Sequence, residues 1–234
     1  VLRQQDVTAN PDDLYTAYLA PGSISAPIPR QGQAAQSTQA IITDYIKNGF
    51  IHIVPKGLDH ILFVLGLFFY AARWQPLLGQ VTLFTLAHSL TLFLASTGYI
   101  VVSPTVIEPM IAASIIYIAY ENIRRQRMSA IRILVIFVFG LLHGLGFASV
   151  LSDIMIGDSM LNDGGFASGQ FILSLISFNI GVELGQLAVL VPAFLLFGVI
   201  ANNALWYRKL IALPASYLIG ATGTWMLFTR VISG

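Results

Sequence analysis

All four histidines of the chain lie in or beside strongly apolar runs, where a titratable side chain is hardest to accommodate. They are His52, His60, His88 and His143. An ionisable residue inside hydrocarbon costs a few kcal/mol or more and is usually retained for a function. The chain has no cysteine, so a bound metal would have to use imidazole, carboxylate, amide or water. These ligands suit nickel, zinc or cobalt and disfavour Cu(I).

The first cluster of such residues is in the segment FIHIVPKGLDHILF. Asp59 and His60 are adjacent and directly precede an apolar run, which favours a functional site. His52 and Asp59 would share one helix face if the helix continued through Pro55-Lys56-Gly57, where a break is expected. Polar groups at a helix end can also simply meet water, and we interpret His52 as an outer entrance or interfacial residue.

His88 and His143 are predicted at similar depths in two other apolar segments. His88 lies between Thr85 and Thr91, which recur every three residues, and His143 is followed directly by Gly144. At 1.5 Å per residue both histidines reach comparable heights from the same membrane face, and His60 reaches the central-to-outer half. Three imidazoles can therefore converge, although a lone histidine in an apolar helix is often a hydrogen-bonded packing residue.

A third polar group follows one helix face in the segment SFNIGVELGQL. Asn179, Glu183 and Gln186 are spaced i, i+4, i+7. We expect Glu183 to supply charge to a metal site, as Asp59 would, with Asn179 and Gln186 orienting the ligands. A purely structural hydrogen-bond network is the alternative.

Two further acids have ordinary explanations. Glu108 lies in the first turns of a predicted helix, where the helix dipole favours an acid. Glu121 lies near the other end of that helix beside Arg124 and Arg125, so an interfacial ion pair explains it, with a gate or exit ligand as the alternative.

The composition indicates the elements that must position these residues. Hydrophobic residues make up 56% of the 234-residue chain and charged residues 10%, with a mean hydropathy of +0.76, which excludes an ordinary soluble domain. We predict an all-α polytopic membrane protein, and the net charge of +1 gives no reason to expect a nucleic-acid partner. Six predicted spans cover about 50–73, 77–102, 104–123, 131–151, 168–200 and 208–232.

Basic residues in the short loops predict the orientation of these spans. The loops expected in the cytoplasm carry Arg73, then Arg124, Arg125, Arg127 and Arg132, then Arg208 and Lys209. The loop between spans four and five carries Asp153, Asp158 and Asp163. Both termini are therefore predicted outside, with residues 1–45 an extracytoplasmic linker or interfacial segment and residues 46–234 the transmembrane domain. The first residue is not methionine, so we expect a processed product or a fragment.

Small residues and a cap motif refine the helices. Gly140 and Gly144, like Gly181 and Gly185, are four residues apart, which favours close helix contacts. The pair Ser103-Pro104 predicts the start of the third span.

Five ordered blocks resemble the HupE/UreJ family of bacterial membrane proteins. They are GLDHILF (57–63), TLFTLAHSLTL (82–92), EPMIAASIIYIAYEN (108–122), FGLLHGLGFAS (139–149) and FNIGVELGQL (178–187). The resemblance implies a cytoplasmic (inner) membrane permease for nickel or a related divalent ion, associated with metalloenzyme maturation partners. The histidine and acid motifs of the family fall here on His52, Asp59, His60, His88, His143 and Glu183.

Three functions remain open on the sequence. The first is metal transport, with His60, His88, His143, Asp59 and Glu183 as ligands to a nickel or zinc ion. The second is an intramembrane zinc hydrolase in which Glu183 or Asp59 activates a water, although no HExxH spacing is present. The third is an accessory membrane subunit whose polar cluster only holds helices together.

Overall fold

A computed structural model of the chain is almost entirely helical over the residues it describes. The described residues are 2–3, 16–17, 38–70, 73–124, 130–157, 169–198 and 204–233. The helices are α1 (Thr38–Ile53), α2 (Leu58–Tyr70), α3 (Trp74–Ser96), α4 (Pro104–Arg124), α5 (Ala130–Gly157), α6 (Gly169–Phe197), α7 (Ala204–Tyr207) and α8 (Leu213–Ser233), with a π-helical turn at Arg208–Ala212 between the last two. Two compact units result, Val1–Ser37 and Thr38–Gly234.

The described residues of the first unit form one short pair of strands. Strands β1 (Leu2–Arg3) and β2 (Thr16–Ala17) run antiparallel, with Leu2 opposite Ala17. Residues 4–15 and 18–37 of the predicted linker lie outside the described residues, whereas residues 38–45 belong to α1.

The helices have the length and composition of a multi-pass membrane protein. Within the described residues, four helices are long and apolar enough to cross a membrane: Trp74–Ser96, Pro104–Arg124, Gly169–Phe197 and Arg208–Ile232. A fifth span results if α1 and α2 count as one broken span. The described apolar part of α5, Ile131–Gly146, is shorter. The count of six spans and the outward termini stay predictions.

The first predicted span differs most from the structure. The span predicted over about 50–73 is broken in the structure: α1 ends at Ile53, α2 begins at Leu58, and the two are bent by 70°. The break falls on Pro55-Lys56-Gly57, as expected, because proline lacks the N–H that a continuous helix needs at that position. Helical structure also begins earlier than predicted, at Thr38. By contrast, the predicted helix start at Pro104 is confirmed.

Glycines let two pairs of helices approach closely, as their spacing predicted. A Cβ atom at Gly140 would lie 2.6 Å from the carbonyl oxygen of Phe84, and one at Gly144 would overlap the carbonyl oxygen of His88, so α5 packs backbone to backbone on α3. In the same way Gly181 faces the Ile46 carbonyl, and α6 packs on α1. These contacts fix the helices that carry three of the four histidines.

An apolar core joins five helices of the helical unit. Phe63 of α2, Phe84 of α3, Ile118 of α4, Ile136 of α5 and Leu190 of α6 are all fully buried in one cluster. A second cluster joins α4 to α8 through Ile115, Ala119, Ile219 and Met226. Packing of α8 along α4 brings the last turns of α8, which carry Arg230, level with the first turns of α4, which carry Glu108.

Candidate metal centre

All four histidines meet in the interior of the helical unit. His52 is in the last turn of α1, His60 in the first turn of α2, His88 in the middle of α3 and His143 in the middle of α5. His60 lies at the centre of the group, because its ring centroid is 4.8 Å from that of His52, 5.9 Å from that of His88 and 4.8 Å from that of His143. The histidine cluster, as we call these four residues, therefore draws on four helices.

The break between α1 and α2 explains how His52 reaches the cluster. The bend of 70° turns α2 back across the end of α1, so His52 and His60 approach edge to face instead of sharing one helix face. His52 is also 6.1 Å from His88, centroid to centroid. The structure thus places His52 among the other histidines, although the sequence suggested a separate position at an outer entrance.

Local hydrogen bonds orient two of the imidazole rings. Nδ1 of His60 lies 3.1 Å from Oδ1 of Asp59, and Nδ1 of His143 lies 2.8 Å from the carbonyl oxygen of Phe139. A carboxylate and a carbonyl only accept hydrogen bonds, so each Nδ1 is the donor, and in a neutral ring each Nε2 presents a lone pair. A carboxylate or backbone carbonyl behind the imidazole is the usual arrangement for a metal-binding histidine.

The cluster contains buried nitrogen atoms with no hydrogen-bond partner among the described residues. They are Nε2 of His60, Nε2 of His143 and both ring nitrogens of His88. Burying a polar atom without a partner costs free energy, of the order of 1–3 kcal/mol each. A divalent cation would use these lone pairs, so the donor set fits a transition-metal ion.

Asp59, His60 and His143 form the tightest group. One ligand atom from each residue lies within 4.8 Å of the others. Two ligands of the same zinc ion are at most about 4 Å apart, because each bond is about 2 Å long. Small side-chain adjustments would therefore close this group on an ion. Asp59 can act as a direct ligand, or it can hold His60 while the imidazoles bind.

A cation from the last helix lies on the other side of Asp59. Nη2 of Arg230 is 3.5 Å from Oδ2 of Asp59, and Nε of Arg230 is 3.7 Å from Oε2 of Glu108. Glu108 therefore has a specific partner in addition to its favourable position near the start of α4. No sequence spacing signals this contact, since Arg230 is distant from both acids along the chain.

The polar face of α6 meets α3 away from the tight group. Oγ1 of Thr82 donates to Glu183 at 2.8 Å, and Oγ1 of Thr85 donates to Gln186 at 2.9 Å. Thr82 precedes His88 by almost two helical turns, or about 9 Å along the axis of α3. Asn179 donates to the carbonyl oxygen of Leu175 in its own helix. Glu183 thus lies beside α3, outside the group of three potential ligands.

Glu121 takes part in a buried ion pair at the far end of α4. Its Oε2 accepts a hydrogen bond from Nη1 of Arg132 at 2.6 Å, and Arg132 is fully buried. The guanidinium group also lies 3.7 Å from the centre of the Tyr70 ring. The partner is therefore Arg132 in α5, whereas the sequence suggested Arg124 or Arg125. Arg132 was expected in a loop, and Arg125 lies outside the described residues, as do Arg127, Asp158 and Asp163.

A sequence model of the HupE / UreJ protein family matches residues 29–230 of the chain. This match includes every residue of the histidine cluster and the acids beside it. The chain belongs to the HupE/UreJ family. No curated protein and no solved structure matches it. For this HupE/UreJ protein, the family name points to a role related to metal transport, and the group of Asp59, His60 and His143 is a candidate site for the metal.

Proposed function

We propose that this protein carries a divalent transition-metal ion across the bacterial cytoplasmic membrane, with nickel as the first candidate and zinc or cobalt next. The observation that carries the proposal is the convergence of four imidazoles and Asp59 in the interior of the helical unit. His60, His88 and His143 have ring nitrogens with no hydrogen-bond partner in the part of the chain that the structure describes. Six spans with both termini outside are part of the proposal, as are residues 1–45 as an extracytoplasmic segment.

The ligands divide into a centre and a supporting set. His60 and His143 would bind the metal through Nε2, and His88 and His52 would complete the nitrogen ligands as the rings adjust. Asp59 lowers the cost of holding a dication in an apolar interior, because its carboxylate supplies negative charge within hydrogen-bonding distance of His60. Borderline metals accept such a nitrogen and oxygen set, whereas Cu(I) prefers sulfur ligands.

Polar residues along α3 support transport over chemistry at a closed site. Thr91, His88, Thr85 and Gln80 are buried on this helix. Thr85 bonds Gln186, Thr82 bonds Glu183, and Gln80 accepts from Nε of Arg132 at 3.3 Å. We propose that these groups, which we call the polar file, line the path of the ion from the histidine cluster towards the Glu121–Arg132 ion pair. Thr82 itself lies on the exposed side of α3. Glu183 and Gln186 would then receive the ion after it leaves the imidazoles.

The ion pair of Glu121 and Arg132 closes the end of the polar file at which the ion would be released. Arg132 would repel a dication that leaves Glu183, and its ion pair with Glu121 is fully buried. Passage therefore requires this end of α4 and α5 to open. Such a barrier keeps the ion on the imidazoles until the helices move, which is what a carrier needs in place of an open channel.

The test is uptake by purified protein in lipid vesicles. Ni²⁺ entry is followed with a metal-sensitive dye inside the vesicles, for the wild type and for His60→Ala/His143→Ala. We expect uptake by the wild type and at least a tenfold loss in the double variant, with Thr97→Ala as a control outside the cluster. Equal uptake by the wild type and the double variant would refute the proposal.

A zinc hydrolase is the second candidate, and one observation favours it. Two histidines and one carboxylate, the composition of the tight group, also occur as the ligand set of zinc hydrolases. Zinc that binds with 1:1 stoichiometry but never crosses the vesicle membrane would favour this candidate. An accessory role would instead give neither bound metal nor uptake.

A further inference from the structure

Arg230 connects the metal centre to the last helix. Its Nη2 lies 3.5 Å from Oδ2 of Asp59, and the other oxygen of Asp59 accepts from His60. The carboxylate therefore lies between a histidine of the cluster and a permanent cation. Any metal ion that approaches Asp59 meets the positive charge of Arg230 at the same group.

The guanidinium group has a second carboxylate within reach. Its Nη1 donates to the backbone carbonyl oxygen of Glu108 at 3.0 Å, and its Nε is 3.7 Å from the carboxylate of the same residue. The side chain of Glu108 is 51% exposed, compared with 18% for Asp59. A small rotation about the anchored Nη1 would move the cation from Asp59 to the more exposed Glu108.

We propose that Arg230 is a tethered counter-ion of Asp59, which competes with the incoming metal ion and shifts to Glu108 when the metal binds. This inference rests on the proposed metal site. In the metal-free protein Arg230 supplies positive charge beside the partly buried carboxylate of Asp59. With a dication present, like-charge repulsion drives the guanidinium group away from Asp59 and towards Glu108.

The exchange would serve both selectivity and release. A dication offsets the free-energy cost of displacing Arg230 better than a monovalent ion does, since its attraction to Asp59 is about twice as large at the same distance. Return of Arg230 to Asp59 weakens the hold on the metal and favours its departure. Arg230 is thus a positioning residue that sets affinity without binding the metal.

Binding of Ni²⁺ to the purified protein, measured by titration calorimetry, tests the exchange. Arg230→Gln removes the competitor, and we expect the Kd to fall about three- to tenfold. Glu108→Gln removes the alternative partner and keeps Arg230 on Asp59, so we expect the Kd to rise about two- to fivefold. A loss of folding or packing would weaken binding in both variants and could not produce opposite signs.

The double variant separates an exchange from simple attraction between Glu108 and the metal. If Glu108 acts through Arg230, Arg230→Gln/Glu108→Gln binds as tightly as Arg230→Gln. If Glu108→Gln still weakens binding in the Arg230→Gln background, the exchange is refuted. Arg124→Gln, the same substitution at the opposite end of α4, is the matched control and should leave the Kd unchanged.

The outcomes also distinguish this inference from the proposed function. A wild type that binds no Ni²⁺ contradicts the metal site itself. A wild type that binds, together with an Arg230→Gln variant of equal or weaker affinity, overturns the role of Arg230 alone. Should Arg230→Gln fail to fold, Arg230→Met takes its place: methionine also removes the charge and keeps a flexible unbranched side chain, so tighter binding is expected and unchanged or weaker binding refutes the exchange.

Discussion

The buried ion pair of Glu121 and Arg132 predicts a large loss of stability when one partner is replaced. Replacing Glu121 with glutamine keeps the shape and the oxygen that faces Arg132 at 2.6 Å, but removes the negative charge beside the buried guanidinium group. The Arg132 side chain is 0% exposed and that of Glu121 3%. Removing one partner of such a pair costs about 3–5 kcal/mol.

The expected effect is measurable as thermal unfolding of the protein in detergent. Each kcal/mol shifts the Tm of a chain of this size by about 2–4 °C, so Glu121→Gln should lower the Tm by at least about 6 °C. The matched control is Glu108→Gln, which removes a half-exposed carboxylate and should cost about 1 kcal/mol or less.

A second variant tests the reason for the loss. In Glu121→Gln/Arg132→Met both charges are gone and a flexible apolar side chain packs on Tyr70, so most of the lost stability should return. A Tm of Glu121→Gln within 2 °C of the wild type would refute the reasoning, because the guanidinium charge would then be compensated elsewhere. A double variant less stable than Glu121→Gln would also contradict it.

Two further predictions concern the geometry of the site and of the polar file. Gly144→Ala should weaken Ni²⁺ binding at least fivefold although no ligand changes, because the added methyl group collides with Thr91 and the backbone of α3. The control is Gly79→Ala, whose methyl group meets nothing within 4 Å, and this variant should bind Ni²⁺ normally in the same titration. Gln186→Leu removes the partner of Thr85. This variant should slow uptake into vesicles several-fold while the Kd for Ni²⁺ stays within about twofold. A parallel loss of affinity would show that Gln186 belongs to the binding site.

Much of the fold follows from local sequence signals. Long apolar runs predicted α3, α4, α6 and α8, because each must satisfy its backbone internally in a membrane. Glycines four residues apart marked the α3–α5 and α1–α6 contacts, since only a missing side chain permits such close backbones. The start of α1 was missed because Thr38–Gly49 is polar enough to read as a linker, and its burial depends on α6.

In the candidate site, as in the fold, local features were predictable and contacts between helices were not. Depth within the spans predicted that His60, His88 and His143 could converge, because height along a helix depends only on residue count. Whether the rings face one another depends on helix rotation and crossing, which sequence does not encode locally. The place of His52 was misjudged for that reason: the bend after Ile53 brings it to His60.

By itself, the sequence determined apolar helices of membrane-spanning length with histidines and acids within them, because hydrophobicity and spacing are local properties. Only the tertiary structure decided which charged side chain pairs with which partner. It paired Arg132 with Glu121, Arg230 with Asp59 and Glu108, and Glu183 with Thr82. Each of these contacts joins different helices, and a charge in an apolar interior takes whichever partner the packing brings within a few ångströms.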